Sequence, residues 1–125
     1  MRRKAYMTTG AAAVGPYSHG VECGNMVYLS GQTPLDPGTG KLVEGNVGEQ
    51  TKQCFANLFA VIEACSLTPD HVGKVNVYLT DMNDFEEMNL EYEKHFTQPF
   101  PARTTVAVAA LPLGARIEIE MVLQK

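Results

Sequence analysis

The sequence predicts an α+β fold: one mixed β-sheet with two helices packed on one of its faces. Three observations carry this. Residues 46–65 hold an apolar stripe of helical period, residues 74–79 and 116–123 alternate with period two, and paired strand signals flank the two helical runs at both ends of the chain. The 125 residues fit one domain spanning 1–125, since no repeat, low-complexity tract or linker divides them.

Taken in order, residues 17–23 and 26–31 read as a hairpin. Gly24-Asn25 is its two-residue turn, with glycine at the position where a type II′ turn needs a positive φ. Met26, Tyr28 and Ser30 share one strand face, Val27 and Leu29 the other. Asp36-Pro37-Gly38-Thr39-Gly40 is a loop by its turn chemistry. A helix opens at Asn46, with Glu49 three residues on in capping-box position. Its stripe is Val47, Thr51, Cys54, Phe55, Leu58, Val61, Ile62 and Cys65, which reads as core. Thr68-Pro69-Asp70 is a short turn, and Lys74 to Leu79 is a strand with Val75, Val77 and Leu79 on one side.

A second helix is expected from Asp81 to Phe96, with Phe85, Met88, Tyr92 and Phe96 inward and Asn89 flanking. Pro99 and Pro101 end it and force an extended path. Two strands close the chain. Residues 103–108 alternate Arg103, Thr105 and Ala107 against Thr104, Val106 and Val108; residues 116–123 alternate Arg116, Glu118 and Glu120 against Ile117, Ile119, Met121 and Leu123. The apolar strand faces are expected to meet the helices, which places Arg103, Thr105, Glu118 and Glu120 together on the far face.

Composition narrows the function. A net charge of −4 and a pI near 5.3 weigh against nucleic-acid binding, which uses a basic stripe. The one basic cluster, Arg2-Arg3-Lys4, reads as a solvated terminus, and no apolar run follows it as in an export signal. No stretch approaches the roughly 18 apolar residues of a membrane span. Cys23, Cys54 and Cys65 form no Cys-x-x-Cys pair, and free thiols fit a reducing, cytoplasmic setting. His19, His71 and His95 are far apart, so no metal site is assigned.

Arg103 is the leading candidate for binding. Phe100-Pro101-Ala102 stiffens the approach to it, and its planar fork of donors suits a carboxylate. Its plain structural role is a cross-strand salt bridge to Glu118 or Glu120, and alternation does not choose between the two. Either glutamate, beside a bound acid, has the chemistry to orient water or move a proton. Gly15-Pro16-Tyr17-Ser18 and Ser30-Gly31-Gln32 each set hydroxyls beside a glycine, where backbone can approach a ligand, though both also read as ordinary turns.

Five segments together resemble the reactive intermediate (enamine/imine) deaminase family, RidA/YjgF-like, also catalogued as endoribonuclease L-PSP. They are Gly15-Pro16-Tyr17-Ser18, residues 24–32 (Gly24 to Gln32), residues 81–85 (Asp81 to Phe85), Phe100-Pro101-Ala102-Arg103-Thr104 and Ile117-Glu118-Ile119-Glu120, in the family's order and spacing. The resemblance implies a chorismate-mutase-like α+β fold assembled as a homotrimer, with ligand clefts between subunits. It implies hydrolytic deamination of enamine and imine acids such as 2-aminoacrylate or 2-aminocrotonate, with no cofactor and no metal. By that resemblance Arg103 grips the substrate carboxylate, Glu118 is the acidic residue, and Tyr17, Ser30, Gly31, Asn89 and Thr105 line the cleft. Thr105 stands where the family's deaminases commonly carry cysteine, and there the backbone is expected to matter more than the side chain. His19, where glutamine is common, reads as a residue of the cleft rim. Two other functions stay open: a trimeric module that binds small carboxylates without turnover, and the ribonuclease or translation-inhibitor activity in the family's names.

Overall fold

Nine residues decide where the core lies. Val27 and Leu29, Val75, Val77 and Leu79, and Ile117, Ile119, Met121 and Leu123 sit at every second position of three strands, and all nine are buried. A pleated strand sends alternate side chains to opposite faces, so these define one apolar face of one sheet. In the computed structural model, which describes residues 2–125, the strands are β1 (Lys4–Tyr6), β2 (Gly20–Cys23), β3 (Met26–Gln32), β4 (Val72–Leu79), β5 (Ala102–Ala107) and β6 (Ile117–Gln124). The sheet order is β1-β2-β3-β6-β4-β5, antiparallel except for the parallel pair β4–β5.

Helices α1 (Val47–Ala64) and α2 (Phe85–Tyr92) cover the apolar face. Asn46 caps α1, its Oδ1 accepting from the Glu49 amide at 2.9 Å. The predicted stripe, from Val47 through Thr51, Cys54, Phe55, Leu58, Val61 and Ile62 to Cys65, is buried throughout. Phe55 anchors an aromatic cluster, with Tyr92 at 5.5 Å, Phe96 at 5.7 Å and the ring of His95 stacked at 4.2 Å. No described helix is long and apolar enough to cross a membrane.

Four expectations are corrected. The N-terminal basic cluster is not wholly a solvated tail, because Lys4–Tyr6 pairs with β2 as an edge strand too short and too charged for alternation to reveal. The first hairpin strand starts at Gly20 rather than at residue 17; the turn itself is as read, with Gly24 at φ 61°. The second helix is a two-turn α segment between 3₁₀ turns at Met82–Asp84 and Glu93–His95. Asp81 opens the first of these by accepting from the Asn83 amide, a local bond that competes with a full α-turn.

The fourth correction matters most. β5 pairs with β4 at Val75↔Arg103 and Val77↔Thr105, and β6 pairs with β4 at Tyr78↔Glu118 and Asn76↔Glu120. Paired residues share a face, so Arg103 and Thr105 lie on the helix side while Glu118 and Glu120 lie on the open side. The apolar residues of β5 are inverted with them: Val106 is on the open face and 40% exposed.

Replacing Asn46 with alanine is expected to cost about 1 kcal/mol of stability through the lost cap. A urea titration checks this, and an unchanged midpoint would mean the cap contributes nothing.

Candidate functional site

The sheet splits the sequence-predicted residues into two groups. On the helix side, Arg103 leaves β5 beneath α2. Its Nη1 donates to Asn89 Oδ1 at 2.6 Å, and its guanidinium carbon lies 4.6 Å from the Tyr92 ring centroid and 5.6 Å from that of Phe85. Asn89 and Tyr92 are three apart on α2, one turn, so both face the same strand. The expected salt bridge is absent: among the described residues Arg103 pairs with no carboxylate. A neutral amide and two aromatic faces orient the fork without neutralising it. Burial pushes the Tyr92 hydroxyl up to about 12, against a smaller opposing pull from Arg103. Tyr92 Oη and Thr105 Oγ1 are both buried without a hydrogen-bond partner among the described residues. An open cleft of about 380 Å³ lies here, lined by Asn89, Tyr92, Glu93, Phe100, Pro101 and Arg103.

On the open side, a bulge shapes the second group. Leu29 pairs with Met121 and Gln32 with Ile119, so Ser30 and Gly31 together oppose Glu120. The Ser30 hydroxyl donates to the Ser18 carbonyl at 2.6 Å, tying the bulge to the segment before β2. Gly31 is needed for space: a Cβ there would stand 2.9 Å from Glu118 Cδ and overlap its carboxylate. Tyr17 Oη accepts from the Val14 amide at 3.1 Å. A cleft of about 470 Å³ is lined by Tyr17, Ser30, Gly31, Glu118 and Glu120 and walled by Val14, Leu35 and Leu113.

The two glutamates differ. Glu120 Oε1 accepts from Asn76 Nδ2 at 3.1 Å and from the Tyr78 hydroxyl in a short bond. That bond, with burial behind it, pushes the Tyr78 hydroxyl up to about 12. Glu118 has no such donors among the described side chains. Burial, and then the charge of Glu120, push its carboxyl above the usual range.

His19 is not at a cleft rim. It is 2% exposed; Nδ1 accepts from the Thr8 amide at 3.1 Å, which leaves Nε2 to donate to the Ala12 carbonyl at 3.2 Å. It therefore clamps the segment that leads to Tyr17, a long-range role that local sequence does not signal. The support from Tyr92 and Phe85 to Arg103 was hidden for the opposite reason: both read as plain core on the inner stripe of the second helix. No group of three or more His, Cys, Asp or Glu in metal-binding array occurs among the described residues.

The fold is an α+β chain in which, among the described residues, one open cleft holds a cation without a carboxylate partner on one side of the sheet and another holds a carboxyl pair on the other side. Residues 7–124 match the Endoribonuclease L-PSP family. A RutC family protein of Pyrococcus horikoshii is 40% identical over 125 residues, covering 100% of this chain and 99% of that one. A mouse protein named 2-iminobutanoate/2-iminopropanoate deaminase is 46% identical over 121 residues, covering 96% of this chain and 90% of its own. The crystal structure of RidA from an Antarctic Psychrobacter superposes with a TM-score of 0.94 at 44% identity, over 98% of this chain and 100% of that one. The chain belongs to the RidA/YjgF-like family catalogued as endoribonuclease L-PSP.

Glu118 takes up a proton more readily in the folded chain than in the unfolded one. Stability therefore falls as pH rises from the ordinary glutamate value of 4.5 through the raised folded one, and the cost is full above both. Glu118→Gln is expected to raise the urea midpoint at pH 7 and to lose that advantage below about pH 4. Equal midpoints for the two proteins at pH 7 would contradict the burial of this carboxyl.

Proposed function

We propose that the protein hydrolyses 2-imino acids and their enamine tautomers to 2-oxo acids and ammonia, in clefts shared between the subunits of a cytoplasmic homotrimer. The observation that carries this reading is Arg103: a guanidinium set among an amide and aromatic rings, with no carboxylate partner among the described residues. A partly buried cation without a counter-ion favours an anion supplied from outside. A 2-imino acid brings a carboxylate of the right geometry, and relatives named imine deaminase at 43–46% identity support the choice.

Within one chain the sheet separates Arg103 from Glu118. A second copy set against the open face would bring the Glu118 cleft of one subunit to the Arg103 cleft of the next. The open face suits such a contact, with Tyr28 47% and Val106 40% exposed on it. Arg103 then holds the substrate carboxylate in two-bonded geometry, with Asn89 fixing the fork and Thr105 beside it. Tyr17 and the Ser30–Gly31 bulge bound the far end.

The steps balance with water alone. Glu118 gives a proton to an enamine carbon, or keeps the imine nitrogen protonated, so that C2 is electrophilic. Water oxygen then bonds to C2 as Glu118 takes a proton from it. Glu118 passes that proton to the amine nitrogen, the C2–N bond breaks and ammonia leaves, and the hydroxyl proton on the C2 oxygen returns to Glu118 as the carbonyl of the 2-oxo acid forms. The chemistry needs positioning and one proton carrier, which this arrangement supplies without a metal or cofactor.

The nuclease function in the family's name finds less support. His19 is buried in backbone contacts, His95 Nε2 lies 2.6 Å from Glu91, and neither cleft brings two histidines or several cations together.

The test follows decay of an imine released by a serine or threonine dehydratase. Wild-type protein is expected to speed it. Arg103→Ala should abolish the gain, and Glu118→Gln should cut it by about 10²-fold or more. Wild-type decay no faster than buffer would sink the reading. Retained ligand binding with no turnover in any form would favour a carboxylate-binding module instead. Gly31→Ala should keep the unfolding free energy within about 1 kcal/mol, because the Glu118 carboxylate can swing away, yet lose roughly tenfold or more in rate. Full activity in that variant would mean Glu118 does not act from its observed position.

A further inference from the structure

The open face of the sheet holds a carboxyl pair whose members have unlike surroundings. Glu118 and Glu120 are two apart on β6 and point the same way. Across the strand pairing, Asn76 lies opposite Glu120 and Tyr78 opposite Glu118, and both reach one oxygen of Glu120. Tyr78 must reach diagonally past its direct partner to do so, so Glu118 is left without that donor although it is opposite the tyrosine.

We propose that Asn76 and Tyr78 fix Glu120 in place beside Glu118 and leave Glu118, which has no side-chain donor among the described residues, as the proton-holding member of the pair. Glu120, Tyr78 and Asn76 are positioning residues, acting through Glu118.

The geometry supports this from each side. Two donors on one oxygen hold the Glu120 carboxyl in place beside its neighbour. A fixed negative charge two residues along the same face favours the protonated form of its neighbour. The other groups that face Glu118 do not cancel this. Tyr17 from the N-terminal segment and Tyr78 from β4 are phenols, and Cys54 of α1, beneath the sheet, is a buried thiol whose ionisation burial and Glu118 both oppose. Within the chain, Arg116 Nη2 donates to Asp84 at 2.7 Å and Lys74 Nζ donates to Thr104 Oγ1 at 2.7 Å; Arg103 of the neighbouring subunit, which the trimer reading sets across this cleft, pulls the other way, equally in the wild type and in the variants below, so the difference between them reads Glu120 alone. The direction already noted for Glu118, raised by burial and then by Glu120, agrees. When unlike environments separate two carboxyls in this way, they assign the acid and its neighbour separate tasks.

This inference rests on the imine-deaminase reading for its purpose, but its test does not. Carbon-13 NMR of labelled glutamate carboxyls reads the titration of Glu118 in the folded wild type, in Glu120→Gln and in Tyr78→Phe. Glutamine keeps the shape of residue 120 and one acceptor oxygen for Asn76 and Tyr78, removes the charge and puts an NH2 donor in place of the other oxygen. The midpoint of Glu118 is expected to fall in Glu120→Gln and to fall by less in Tyr78→Phe, where Glu120 is loosened. A midpoint unmoved in either variant overturns the proposal. The pH–rate profile of imine decay should shift in the same direction as the NMR midpoint. A profile that stays put while the midpoint moves sinks Glu118 as the reaction's proton carrier and leaves the carboxyl pair standing.

Discussion

The rest of the molecule depends on the register of β4 with its two neighbours. Val75, Val77 and Leu79 are fully buried beneath the helices. A one-residue slip would turn all three to the open face. Each exposed side chain would cost about 1.5–3 kcal/mol, so a slip costs a large fraction of a domain's net stability. That apolar constraint, with no polar residue in it, fixes the pairings Val75↔Arg103 and Tyr78↔Glu118. It thereby assigns the cation and the carboxyl to opposite faces. The core sets the site geometry before any site residue contributes.

The two faces then treat their polar groups in parallel ways. Arg103 receives one neutral acceptor and two aromatic faces, which orient it while its charge stays available. Its platform is continuous with the core, since Tyr92 packs against Phe55, which stacks on His95, itself bonded to Glu91. Glu118 receives space from Gly31 and, among the described residues, no side-chain donor, while Glu120 beside it takes two. Each cleft thus keeps one group only partly satisfied. Incomplete satisfaction on both sides fits a site finished by a ligand and by a second subunit.

Much of this was legible in the sequence, for physical reasons. Asn46 and Glu49 announce the start of α1 because capping is local, and Gly24-Asn25 announces its turn because only a few residues tolerate that φ. Alternation in β6 gave the correct parity for Glu118 and Glu120. It gave the right parity for Arg103 as well, but the wrong face, since alternation relates residues within a strand and pairing alone relates strands. The error was reinforced by β5, an edge strand whose open-side Val106 is apolar and whose helix-side Arg103 is charged, the reverse of the usual pattern. The bulge at Ser30–Gly31 and the burial of His19 likewise depend on partners far away in the chain. The family motifs pointed to candidate site residues and to clefts between subunits, but not to the face of the sheet that each residue takes.

The central claim is that one working cleft takes Arg103 from one subunit and Glu118 from another. Co-refolding equal amounts of Arg103→Ala and Glu118→Gln chains tests it most directly. Each variant alone should be close to inactive. In randomly mixed trimers about one cleft in four combines the intact Arg103 of one chain with the intact Glu118 of another. The account predicts recovery of imine hydrolysis to roughly that fraction of wild type. Mixed chains no more active than either variant alone, in material shown by light scattering to be trimeric, would contradict it.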